Sequence, residues 1–133
     1  MTVVADTNVL VSALLFPGGP PEAVYRLVLE RRIDLITSRP LLVELGRVLT
    51  EKFGWERARA EEAVEQVIQL AELVDPKVTR SEIAADPSDN RVLEPAAEGG
   101  ATAIVSGDSH LLALESWQGI PIQSPATFLA GLA

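Results

Sequence analysis

Short apolar runs alternate with longer segments of helical periodicity along the whole chain. Val3-Val4-Ala5 is a β-type run at the N-terminus, and Asn8 to Leu15 is an apolar segment that reads as helix. Pro17-Gly18-Gly19-Pro20-Pro21 cannot continue that helix and predicts a loop, with Pro21 in the first turn of a second helix through about Arg31. Leu35-Ile36-Thr37 predicts a second strand. Ser38 then predicts the cap of a third helix, with Leu41, Leu42, Leu45, Val48 and Leu49 at helical spacing. A fourth helix, from about Glu56 to Leu70, carries a stripe of Ala60, Ala63, Val64, Val67, Ile68 and Ala71. Leu73-Val74 predicts a short strand before Pro76. Asp86-Pro87 opens a fifth helix that should end near Gly99-Gly100. Ala103-Ile104-Val105 is the clearest strand, and Leu111 to Leu114 makes a helical turn or two. Ile120-Pro121-Ile122 predicts a short strand, placed at an edge because proline cannot donate to a ladder, and Ser124-Pro125 opens the last helix.

Strands alternating with amphipathic helices mean βαβ units and a mostly parallel sheet. The expected fold is α/β, one domain over residues 1–133, with a short, mostly parallel sheet flanked by helices. No internal repeat, low-complexity stretch or linker interrupts it. Open α/β sheets bind ligands beyond the carboxyl ends of their strands, so the residues at those ends become the candidates.

They are acidic. Asp6 follows the first strand directly, and Asp108 follows Ala103-Ile104-Val105 by three residues. Asp86 and Asp89 fall in the first turn of the fifth helix, and Glu44 lies on the flank of the apolar face of the third. Each except Asp6 has a plain structural alternative. Asp86 and Asp89 form a capping box around Pro87, Asp108 caps the turn at Ser109, and Glu44 pairs with Arg47 one turn on. An acid between a buried strand and an apolar helix, as at Asp6, has no evident structural task.

Composition narrows the chemistry. No cysteine is present, which removes disulfides, thiolate zinc sites and cysteine nucleophiles, and the single His110 removes any site needing two histidines. His110 itself is expected to be a surface or packing residue. No run reaches the roughly 18 apolar residues of a membrane helix. The apolar stretch from Val9 to Phe16 has no basic residue before it and is preceded by Asp6, unlike a signal peptide, so a cytoplasmic chain is expected. The net charge of −8 argues against nucleic acid as a partner unless the acids gather at a metal. Gathered carboxylates are what Mg²⁺ requires: hard oxygen donors in near-octahedral geometry, with waters retained. Such an ion generates a nucleophile at neutral pH and stabilises a departing oxygen, with no basic or thiol side chain needed.

Four motifs carry a family resemblance in chain order. Val3-Val4-Ala5-Asp6-Thr7-Asn8-Val9-Leu10 resembles the opening of PIN-domain nucleases, and Glu44 in Arg39-Pro40-Leu41-Leu42-Val43-Glu44-Leu45 resembles their second acid. Asp86-Pro87-Ser88-Asp89-Asn90-Arg91-Val92-Leu93-Glu94 resembles the third motif and Ile104-Val105-Ser106-Gly107-Asp108 the fourth. The likeness spans nearly the whole chain and is nearest to the toxin components of toxin–antitoxin pairs. It implies a Rossmann-like PIN domain and an endoribonuclease dependent on Mg²⁺ or Mn²⁺, hydrolysing RNA phosphodiester bonds by metal-activated water. It implies Asp6, Glu44, Asp89 and Asp108 as metal ligands and catalytic acids, with Asn8, Asp86 and Ser106 in support. It also implies an RNA substrate, a cognate antitoxin and a homodimer. One departure is Pro95 inside the helix that carries Asp89, which should kink or shorten it.

Other functions fit less well. A phosphatase with Asp6 as nucleophile would need a second acid two residues on, where Asn8 stands, and a lysine for which only Lys77 is available. A phosphoacceptor receiver module would need an acidic pair beside the first strand. The stronger alternative is a catalytically silent PIN-like domain that binds RNA or a partner, which loss of an acid would signal; all four acids are present. Arg39, Arg57 and Arg59 are candidates for phosphate contacts but read more simply as solvated helix surface. The fourth helix with the third presents more apolar surface than a small sheet face covers, which predicts a dimer contact or a bound antitoxin helix.

Overall fold

A computed structural model describes residues 1–75 and 90–132. In chain order the elements are β1 (Thr2–Ala5), α1 (Thr7–Leu15), α2 (Pro20–Leu29), β2 (Asp34–Thr37), α3 (Arg39–Arg47), α4 (Arg57–Leu70), β3 (Ala71–Leu73), α5 (Asn90–Gly99), β4 (Ala103–Val105), α6 (Ser109–Ala113), β5 (Ser116–Trp117), β6 (Ile120–Gln123) and α7 (Pro125–Ala130). A π-helical turn, Val48–Lys52, extends α3. The strands form one sheet in the order β3-β2-β1-β4-β6-β5, parallel throughout except for the antiparallel β5–β6 pair.

Side chains alternate across this sheet, so each strand feeds two cores. Val3, Ala5, Leu35, Ala103 and Val105 face one core with α1, α2, α4 and Phe128. Val4, Ile36, Ile104 and Ile122 face the other, with Val92, Leu93 and Ala96 of α5 and Leu111 of α6. Strands buried on both faces read as unbroken apolar runs, which is why β1 and β4 stand out in the sequence.

Caps set the helix starts. Ser38 Oγ accepts from the Leu41 N–H at 3.5 Å to open α3, and Ser124 Oγ accepts from the Thr127 N–H at 3.1 Å to open α7. Pro20 and Pro21 occupy the first turn of α2, where a missing N–H costs nothing. Gly100, at φ +67, ends α5, with the Ala101 N–H returning to the Ala96 carbonyl at 3.0 Å.

Three expectations need correction. The strand at Ile120 is not an edge: β6 lies between β4 and β5. Pro121 is tolerated because the β4 ladder pairs only Ile122 and Gln123, while the hairpin bond on the other side comes from the Ile122 N–H to the Glu115 carbonyl, 2.9 Å. The true edge, β5, is joined to β6 through Gln118-Gly119, both at positive φ as a tight hairpin requires. The strand expected at Leu73-Val74 begins two residues earlier, at Ala71. Pro95 does not shorten α5, which runs on to Gly99. The carbonyl it deprives belongs to the exposed Arg91, and Ala96 beside it is fully buried in the second core. The expected start of this helix, with Asp86, Pro87 and Asp89, lies outside the described residues, as does Lys77.

Candidate active site at the carboxyl edge of the sheet

From β1 the chain crosses to β2 on one side, and β4 later joins β1 on the other. The carboxyl ends of β1 and β4 therefore flank the point where the strand order reverses, the place where such sheets form a ligand crevice. Asp6 and Asp108 stand at these two ends. The register sets them there: Ala5 pairs with Val105, and the Asp6 N–H donates to the Val105 carbonyl at 2.9 Å.

Ser106 joins the two acids. Its hydroxyl, fully buried, donates to Asp6 Oδ2 at 2.8 Å and accepts from the Asp108 N–H at 3.0 Å. Asp6 Oδ1 accepts from the Asn8 N–H at 3.4 Å, so Asp6 also caps α1. Asp108 Oδ1 accepts from the N–H groups of His110 (2.7 Å) and Leu111 (3.3 Å) and caps α6. Capping and function are thus not alternatives here, since a cap uses one oxygen of Asp108. Its Oδ2 has no hydrogen-bond partner among the described residues. His110 is an exposed residue with Nδ1 at 3.7 Å from Asp108 Oδ1.

Asp6 is 7% exposed, and burial pushes its carboxyl above the ordinary value of 3.8. The Ser106 hydroxyl and the N–H groups of Asn8 and Thr7 oppose that shift, and the charge of Asp108 adds to it. A buried acid beside a second acid is poorly served by its own protein, and a cation would relieve it. Two buried hydroxyls at the same edge, Thr7 Oγ1 and Thr37 Oγ1, also lack hydrogen-bond partners among the described residues. Thr7 follows Asp6, and Thr37 ends the neighbouring strand β2. Among the described residues this edge therefore offers two carboxylates with neutral hydroxyls beside them, oxygen donors that fit a hard divalent cation.

The remaining expected residues are placed less completely. Glu44 lies half-buried on α3 and is engaged with a neighbouring group. Among the described residues, no three acids or histidines are grouped closely enough to hold a metal ion. Asp6 and Asp108 thus come together without Glu44 as a third member, while Asp86 and Asp89 lie outside the described residues. Asn8 is exposed and lines a cavity next to the acids, together with Ser12. Ser12 went unrecognised in the sequence, although its position four residues after Asn8 on a helix was the available signal.

Elsewhere, α3 and α4 enclose an open groove of about 570 Å³ lined by Leu42, Val43, Gly46, Ala60 and Val64 together with the charged Arg47, Arg57, Glu61 and Glu65. Val43 is 70% exposed and Ile68 39%. The surplus apolar surface expected of these helices is present. Arg59 stacks over Trp55 at 3.8 Å, an engagement within its own surface. No helix among the described residues is long and apolar enough to cross a membrane.

Comparison with known proteins bears on the family and the fold. A family model described as the PIN domain matches residues 2–110. The uncharacterized protein MJ1680 of Methanocaldococcus jannaschii is 31% identical over 116 residues, covering 84% of this chain and 74% of that one. The crystal structure of VapBC2 from Rickettsia felis, bound to a DNA fragment from its promoter, superposes with a TM-score of 0.66. It does so at 13% identity, over 93% of this chain and 98% of that one. PAE2754 from Pyrobaculum aerophilum superposes at a TM-score of 0.63 and 17% identity, over 99% and 98%. Both likenesses concern the fold.

Proposed function

The chain belongs to the PIN-domain family, and from that premise we propose that it is a ribonuclease dependent on Mg²⁺ or Mn²⁺. One observation carries this reading: Ser106 ties Asp6 to the strand end that bears Asp108, at the switch point of the sheet. Asp6 and Asp108 would hold the ion in this account; Glu44 from α3, which does not group with them among the described residues, would have to move in to join them, and Asp89 would complete the set with Asp86 and Asn8 in support. A bound divalent ion lowers the pKa of its water and stabilises charge on the phosphoryl and departing oxygens. The residues of the chain do the positioning. Ser106 fixes the rotamer of Asp6, the helix caps fix the backbone that carries both acids, and the cap at Asp108 uses Oδ1, so that Oδ2 would be available to an ion.

The α3–α4 groove supports the toxin half of the reading. An amphipathic antitoxin helix laid into it would cover Val43 and Val64, with charged groups in the lining for pairing. A homodimer would cover the same face, and sedimentation of the chain alone decides between them. With a net charge of −8, the RNA contact in this reading is made in the cytoplasm through the ion rather than through a basic surface.

The test is cleavage of an end-labelled single-stranded RNA by purified protein. Cleavage in Mn²⁺ that stops in EDTA is expected. RNA binding that persists without cleavage in any divalent ion would instead assign the silent binding module.

A further inference from the structure

A second cavity, of about 380 Å³, lies on the α1 side of the carboxylate pair, with Asn8, Ser12, Pro21, Gly107, Ser124 and Ala126 in its lining. Asn8 is two residues from Asp6 and Gly107 directly precedes Asp108, so the cavity adjoins the candidate metal site. Its volume falls within the roughly 300–1,000 Å³ of small-ligand sites.

The lining is chemically specific. Pro20, Pro21, Pro125 and Val9 make it largely apolar, and among the described residues it is lined by no charged side chain. A phosphate placed there would meet no cation and would sit beside two carboxylates. The occupant must be neutral, with apolar faces. It can also carry a polar edge, because two polar side chains there are available to pair with one. Asn8 and Ser12 lie four residues apart on α1 and share a face. Neither the Asn8 amide nor the Ser12 hydroxyl has a hydrogen-bond partner among the described residues. Ser124, by contrast, is committed: its hydroxyl accepts from the Thr127 N–H and donates to Thr127 Oγ1 at 3.0 Å.

We infer that this cavity is a nucleobase subsite, taking the base of a nucleotide next to the scissile phosphate and reading its edge with Asn8 and Ser12. The inference rests on the ribonuclease reading for its place in the reaction, while the cavity chemistry stands apart from it. A carboxamide offers a donor and an acceptor side by side, the pattern that pairs bidentately with adenine. Adenine is therefore the base expected to bind best.

Two measurements test it. The first needs neither metal nor cleavage: adenosine, guanosine, cytidine and uridine 5′-monophosphates, and ribose 5-phosphate, are each titrated into the protein in EDTA and followed by amide NMR. Shifts at Ser12, Gly107 and Ala126, largest with the adenine nucleotide and absent with ribose 5-phosphate, are expected. Ser12→Leu fills the cavity and should abolish the shifts at Gly107 and Ala126. Ala126→Leu, at an exposed position, provides the same test should the first variant fold poorly. Equal shifts with ribose 5-phosphate, or undiminished shifts in a folded variant, would overturn the subsite. The second measurement maps cut sites on a random single-stranded RNA pool. Enrichment of one base at one position beside the cut, lost by tenfold or more in the filled variants, is expected. An active wild-type protein with a uniform map would overturn the subsite and leave the ribonuclease reading standing. Base-selective shifts from a protein that cuts nothing would uphold the subsite and remove that reading.

Discussion

Tyr25 and Asp6 are both buried and polar, and the domain treats them in opposite ways. Between α2 and α4, the hydroxyl of Tyr25 donates to Gln66 Oε1 at 2.7 Å. Burial pushes that phenol up to about 12, so it stays neutral and carries no charge to desolvate. At the carboxyl edge of the sheet, Asp6 is equally buried but is an acid, with the charge of Asp108 nearby. The first arrangement ties two helices together. The second lowers stability in the absence of a cation, which is the pattern of a site shaped by chemistry rather than by folding. The difference predicts opposite signs: altering the first region should destabilise, and neutralising the second should stabilise while removing activity.

The largest effect should come from Asp6→Asn. Loss of outer-shell partners alone costs metal sites roughly 10–100-fold, so removal of a direct ligand should lower RNA cleavage by about a hundredfold or more. The same variant should melt at a higher temperature than the wild type in EDTA. A variant that both cuts well and melts lower would break the comparison.

Metal should reverse the penalty. A cation that binds only the native state, at a hundredfold excess over its Kd, stabilises by about 2.7 kcal/mol, a melting-temperature rise of several degrees for a chain of this length. Asp108→Asn should raise the melting temperature in EDTA and remove most of the rise in millimolar Mn²⁺. Were Asp108 only the cap of α6, asparagine would replace it with little change in either scan.

The packed regions should respond in the other direction. A Cβ at Gly99 would lie 2.5 Å from Ile36 Cδ1 and 3.2 Å from its Cγ2, and Ile36 is fully buried. Gly99→Ala should therefore destabilise by about 1–3 kcal/mol, despite the better helix propensity of alanine. Tyr25→Phe should cost at most about 1 kcal/mol, because water can replace the phenol at the exposed Gln66. Chemical denaturation of each variant measures both.

The smallest effect is one of pH. The native Asp6 carboxyl titrates above its unfolded value of 3.8, so the folded chain holds the proton more tightly. Its penalty is complete above the native pKa and is relieved as pH falls from there towards 3.8. In EDTA, the stability gap between Asp6→Asn and the wild type should narrow over that window. A gap that widens on acidification would mean that the carboxylate is favoured by its surroundings.

Much of this was legible in the sequence, for identifiable reasons. β1 and β4 are buried on both faces and read as unbroken apolar runs ending in Asp6 and Asp108. Ser38, Ser124 and Gly100 end or open helices through local hydrogen bonds that need no tertiary knowledge. The β5–β6 hairpin was missed because two-residue strands have no periodicity, and Pro121 drew attention to an edge that lies one strand further out. Pro95 was judged by helix propensity, whereas burial of Ala96 in the second core outweighs it. The union of Asp6 with Asp108 through Ser106 depends on the pairing of β1 with β4, a contact about a hundred residues apart that spacing cannot reveal. The same holds for the cavity beside them, whose walls come from α1, α2, α7 and the β4–α6 loop.

The central claim is that the Asp6–Asp108 edge binds a divalent cation, and calorimetric titration of Mn²⁺ into wild type and Asp6→Asn tests it most directly. Saturable binding to the wild type, weakened at least tenfold in the variant, is the predicted result. Equal affinity in the two proteins, or no binding to a folded wild type, would contradict it.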